Sequence, residues 1–232
     1  MRPDAEHRLG ILSARPAGRP SRPAPSGDSV HGTRRLGLGA GRDGLMHVPA
    51  AVAPDTPAPL LIMLHGAGAS ASDVMPLVTD AADTHAVLVA APDARGSTWD
   101  IIQHGYGPDV GFLDRMLDRI FDAYAIDPAR IAIAGFSDGA SYALSLGLGN
   151  GALFSDILAL SPGFAAPSRT EERPRIFIAH GREDPVLPFA RCGDRIAAAL
   201  IQSGYDVAYR PFSGGHIVPA EIVAMAFARF MS

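Results

Sequence analysis

Five short apolar runs, each free of polar interruption, recur along this chain between longer amphipathic stretches. They are Leu60–Leu64, Ala86–Ala91, Ile131–Ala134, Ile157–Leu160 and Ile176–Ala179. A strand with one wet face alternates apolar and polar residues; an unbroken run suits a strand covered on both faces, hence a parallel sheet. Val207–Phe212 adds a last strand, and Leu36–Val48 reads as a hairpin around Gly41-Arg42-Asp43-Gly44. The clearest helical period links Val110, Leu113, Leu117, Ile120, Phe121 and Tyr124, and Ile126-Asp127-Pro128 stops it. Further helices are expected over Ser72–His85, Gly139–Leu148, Phe189–Ser203 and from Pro219 onward. Regular alternation of strand and helix predicts one α/β domain, a mostly parallel central sheet with helices on both faces.

Residues 1–35 stand apart, with seven Arg, five Pro and few large apolar side chains. Leu9-Gly10-Ile11-Leu12 reads as a short edge strand, and Arg15 to Asp28 as an exposed or disordered connector. The division expected is therefore 1–35 as an N-terminal segment and 36–232 as the α/β domain. The net charge of −4 gives no sign of a nucleic-acid partner. All 20 basic residues are Arg, which excludes a lysine Schiff base, a Ser–Lys dyad and a phosphate-loop lysine. The lone Cys192 excludes an intrachain disulfide and a cysteine-based metal site. No apolar run reaches the roughly 18 residues of a membrane span, and no secretory signal is read at the start. A cytoplasmic protein is expected.

Gly135-Phe136-Ser137-Asp138-Gly139 follows a buried-strand run and opens a helical stretch. In that setting a G-x-S-x-G pentapeptide reads as a nucleophile elbow. The serine sits on a strained turn, and small flanking residues let strand and helix approach. The helix N-terminus then offers N–H groups to a developing oxyanion.

A serine needs a base, and the base needs an acid to hold its tautomer. Only two histidines follow Ser137. His216 lies in a Gly-rich loop beyond the last strand and is the expected base; His180, directly after a strand, is expected to be structural. The acid should come from His180-Gly181-Arg182-Glu183-Asp184-Pro185. Asp184 is preferred because Pro185 fixes its backbone as extended, with Glu183 the runner-up.

Leu64-His65-Gly66-Ala67-Gly68-Ala69-Ser70 ends an early strand with small residues that permit close backbone approach. Ala67 N–H and Asp138 N–H are the expected oxyanion donors, with Gly68 the neighbour most open to a one-residue shift. The long loop after Pro92 carries Trp99, Ile101, Ile102 and Tyr106. Gly68, Trp99 and Tyr106 are expected to line a substrate pocket. About fifteen residues separate Ser161 from the strand at Ile176, too few for a helical cap.

These four motifs, in this order, resemble the serine α/β-hydrolases of the phospholipase/carboxylesterase type. Pro108–Leu113 and Tyr124–Arg130 are also similar to feruloyl-esterase and polyhydroxybutyrate-depolymerase relatives. The resemblance runs from about Leu60 to the C-terminus and implies an α/β-hydrolase fold without a large cap domain. It implies a serine carboxylesterase acting on a small-molecule ester through Ser137, His216, Asp184 and an acyl-enzyme, with no cofactor and no metal. A homodimer is compatible with it. Acyl thioesterase or lysophospholipase activity is the alternative, and a catalytically silent binding protein a further one. Two departures stand out. Acyl-protein thioesterases usually carry Gln after the serine where Asp138 stands here. Dienelactone hydrolases carry Cys at the nucleophile position.

Overall fold

A computed structural model describes residues 3–16, 31–39, 41–53, 56–103 and 105–232. The uninterrupted apolar runs become the middle of one sheet. Its strands are β1 (Gly32–Arg35), β2 (Gly44–Val48), β3 (Ala58–Leu64), β4 (Leu88–Pro92), β5 (Ile126–Phe136), β6 (Asp156–Leu160), β7 (Arg175–Gly181) and β8 (Val207–Phe212). They lie in the order β1-β2-β4-β3-β5-β6-β7-β8. From β4 to β8 every pairing is parallel; β1 and β2 are the antiparallel edge.

Successive residues of β3 face opposite layers. Leu60, Ile62 and Leu64 pack with the apolar faces of α4 (Pro108–Ala123), α5 (Asp138–Gly149) and α6 (Gly193–Gln202). Leu61 and Met63 pack with α2 (Ala71–His85) and α7 (Ala220–Met231). The sheet is thus covered on both faces, as its runs require. Each large side chain buried this way is worth about 2 kcal/mol before chain entropy is subtracted.

Several boundaries differ from the sequence reading for identifiable reasons. The hairpin is present, but its first strand starts at Gly32, inside the segment set apart as 1–35. Buried Asp43 shapes the hairpin loop by accepting the N–H groups of Gly37 and Leu38 at 2.8 and 2.9 Å. The helix expected over Phe189–Ser203 is broken. A short 3₁₀ turn (Phe189–Arg191) precedes α6, and at the break Gly193 lies so close to His180 that a Cβ would stand 2.5 Å from its Nδ1. A four-residue helix, α3 (Asp100–Gln103), sits in the long loop.

Leu9–Leu12 is not a strand. It follows α1 (Pro3–His7), and side chains of the helical layer satisfy the backbone hereabouts. Asn150 accepts Leu12 N–H at 2.9 Å and donates to Gly10 O at 2.7 Å. Asp114 accepts the N–H groups of Ser13 and Ala14, both at 2.8 Å. The connector expected over Arg15–Asp28 falls almost wholly outside the described residues. Among the described residues no helix is long and apolar enough to cross a membrane.

Candidate active site

Strand β5 ends in the pentapeptide and α5 begins within it. Ser137 has φ 57° and ψ −119°, a conformation that costs an L-residue on the order of 1–3 kcal/mol. Both flanking glycines are forced by proximity. A Cβ on Gly135 would stand 2.2 Å from Gly139 O, and one on Gly139 2.3 Å from Leu64 O. Ser137 N–H donates to Leu160 O at 2.9 Å, which ties the bend to β6.

Three side chains from three loops meet here. His216 Nε2 lies 2.9 Å from Ser137 Oγ, and His216 Nδ1 lies 2.6 Å from Asp184 Oδ2. The Asp184 side chain is fully buried. Its Oδ1 accepts Val186 N–H at 2.8 Å and Leu187 N–H at 2.9 Å. Burial pushes this carboxyl's pKa up, but the bonds from Leu187, His216 and Val186 outweigh it and hold the group below the usual carboxylate range. The Phe136 ring, 4.7 Å from that of His216 between centroids, backs the imidazole.

The loops of acid and base cross at Gly181, where a Cβ would stand 2.3 Å from the carbonyl oxygens of both Gly214 and Gly215. Glu183 is not brought to His216. Its carboxylate accepts Gly214 N–H, and its own N–H donates to Gly214 O, so it braces the histidine loop. His180 is fully buried and does more than close a turn. Its Nε2 lies 2.8 Å from Leu187 O and 3.2 Å from Asp184 Oδ2. Both neighbours are acceptors, so the network assigns the proton to Nε2. The brace from Glu183 to Gly214 joins residues 31 apart in sequence, and no local pattern signals it.

The loop after β3 reaches the serine: a Cβ on Gly66 would be 3.4 Å from Ser137 Cβ. Among the described residues, neither Ala67 N–H nor Asp138 N–H has an internal acceptor. Gly68 differs, because its N–H donates to Ser97 O at 2.7 Å. The Asp138 carboxylate is engaged by Thr98 Oγ1 at 2.7 Å. His65 is fully buried. Its Nδ1–H donates to Gly66 O at 2.7 Å and its Nε2 accepts Ala94 N–H at 2.9 Å. Burial is the largest influence on this ring and lowers its pKa, so it stays neutral.

Trp99 does not face a pocket. It is 1% exposed, its indole N–H donates to His65 O at 2.8 Å, and its ring stacks on Tyr142. The expectation of a substrate-lining indole gives way to a buried prop under the β3 loop. Tyr106 packs edge-on to Tyr142 and covers Gly10, and it also borders a cleft of about 530 Å³ with Arg95, Thr98 and Gln103.

A family profile described as Phospholipase/Carboxylesterase matches residues 110–230, just over half of the chain. The chain belongs to the phospholipase/carboxylesterase family. Acyl-protein thioesterase 1 of Gibberella zeae is 36% identical over 109 residues, covering 42% of this chain and 46% of that protein. Feruloyl esterase C of Emericella nidulans is 25% identical over 179 residues, covering 68% and 65%. The match thus spans less than two thirds of the length of either curated relative. Among solved structures, esterase PE8 is 25% identical with a TM-score of 0.66, covering 80% of this chain and 96% of that one. A ferulic acid esterase of Anaeromyces mucronatus shares the fold at 16% identity, with a TM-score of 0.64 and coverage of 93% and 95%. The architecture is the α/β-hydrolase fold.

Proposed function

We propose that this protein is a serine carboxylesterase. The observation that carries the reading is the unbroken hydrogen-bonded line from Asp184 through His216 to the oxygen of Ser137. His216 takes the proton of Ser137 as Oγ attacks the ester carbonyl. The tetrahedral oxyanion is received by the N–H groups of Ala67 and Asp138. His216 then protonates the leaving alcohol, and the acyl group remains on Ser137. Water, deprotonated by His216, attacks the acyl carbon; the carboxylic acid leaves and Ser137 recovers its proton. Asp184 orients His216 and offsets its charge while protonated. The lone thiol Cys192 suits a cytoplasmic setting, which we adopt.

Ser137→Ala should lower turnover of a short p-nitrophenyl ester by roughly four to six powers of ten and abolish labelling by a fluorophosphonate probe. Wild-type turnover by that variant would refute the assignment. A second reading, acyl thioesterase, is favoured by the 36% identity to an acyl-protein thioesterase. The same residues serve both reactions, since the pocket decides between them. A matched series of oxygen esters and thioesters discriminates: a higher kcat/KM on the thioester series would select the second reading.

A further inference from the structure

A cleft of about 700 Å³ opens between α6 and the loop after β6, a size that suits a small organic ligand. Its walls are apolar where they meet the core, at Leu148, Phe164, Ile196 and Leu200. Its charged residues are Arg173, Arg191 and Arg195 against the single carboxylate of Glu172. Its cations thus outnumber its carboxylates three to one. Arg173 is pinned, donating to Gly204 O at 2.9 Å with its guanidinium 5.9 Å above the Tyr205 ring. Among the described residues no carboxylate lies within ion-pair distance of Arg191 or Arg195.

Ser137, Asp184 and His216 do not line the cleft, which lies along α5 from the serine. Ser141, one helical turn or about 6 Å along α5 from Ser137, accepts the N–H groups of Gly163 and Phe164 at 2.9 and 3.3 Å. Ser145, a further turn on, accepts Ala166 N–H at 2.9 Å. These bonds run the loop along α5, so Gly163, Phe164 and Ala165 form one lip of the cleft from the level of Ser141 downward. Leu148 lies about 10 Å beyond Ser141 along the same helix.

We propose that this cleft receives the distal part of the ester substrate, and that this part is an anion on an apolar body, a carboxylate being the simplest case. The inference rests on the esterase reading and names its substrate class. The apolar walls take the body, and the guanidinium groups of Arg191 and Arg195 take the anion, for which their donor geometry is suited.

The test compares p-nitrophenyl octanoate with the mono-p-nitrophenyl ester of octanedioic acid, which differ in a terminal carboxylate. A second pair places the carboxylate on the alcohol side. The Arg191→Ala/Arg195→Ala double variant should lower kcat/KM for the anionic member of one pair by about tenfold and leave the neutral member within about twofold. Arg195→Glu should reverse the preference. Equal kcat/KM for neutral and anionic members in both pairs, unchanged by the double variant, would overturn the proposal. Octanedioate binding to Ser137→Ala, followed by calorimetry, reads the cleft without chemistry. Binding that is lost when Arg191→Ala and Arg195→Ala are added to Ser137→Ala supports the cleft even if no ester is turned over; no binding to Ser137→Ala overturns it.

Discussion

One carboxylate oxygen, Asp184 Oδ2, is shared by two imidazoles. His216 bonds to it at 2.6 Å and His180 at 3.2 Å. The depressed pKa of Asp184 keeps it ionised wherever a histidine titrates, so both donors always meet a charge. His180 draws part of that charge away from His216. Removing the donor should leave a carboxylate that holds the protonated form of His216 more strongly. His180→Leu, which removes the donor, should therefore move the acid limb of kcat/KM to higher pH with little change in KM. A limb that stays in place would make His180 a packing residue only. The sequence marks His180 as a strand-end residue and is silent on this bond, because His180-Gly181 looks alike whether or not the ring turns toward Asp184.

At the scale of elements, the long loop between β4 and α4 is held by two aspartates that cap each other. Asp100 accepts Asp109 N–H at 2.8 Å, and Asp109 accepts Asp100 N–H at 2.7 Å. Asp109 also accepts Arg95 N–H. Burial, with the charge of Asp100 added, pushes Asp109 up to about 6 against the pull of these bonds. In the unfolded chain it titrates near 4. Between those values the folded protein keeps a proton that the unfolded chain has released. This site therefore weakens folding as pH rises through about 4 to 6, by on the order of 3 kcal/mol at the upper end. Asp109→Asn should remove that slope. In urea unfolding across this window, the variant should gain on wild type as pH rises; a constant offset between the two would show that Asp109 does not titrate there. Little of this loop is legible in advance. The five uninterrupted runs mark β3 to β7, because a strand covered on both faces admits no polar alternation. Ser137, Asp184 and His216 are readable because each follows a strand. Trp99 is misread because an aromatic residue in a long loop looks the same whether it faces solvent or props a neighbouring turn.

Across the whole molecule, the N-terminal residues are fastened to the helical layer at two polar points, Asp114 and Asn150. The partners are about 100 and 138 residues apart in sequence, which places them beyond any local pattern. The same holds for the arginine-lined cleft, whose walls come from α5, α6 and the loop that joins β6 to β7. Patterning foretells layers; it does not foretell which side chains share a hollow between them.

The left-handed backbone at residue 137 carries a consequence for heat resistance. Glycine accepts that geometry freely, and the relief should exceed its extra chain entropy by about 1 kcal/mol. Ser137→Gly should melt about 2–4 °C higher than wild type in a calorimetric scan. Ser137→Ala, which keeps the Cβ, should show no such gain. A tougher protein would then be an inert one. The bend is a place where selection for durability and selection for reactivity pull in opposite directions.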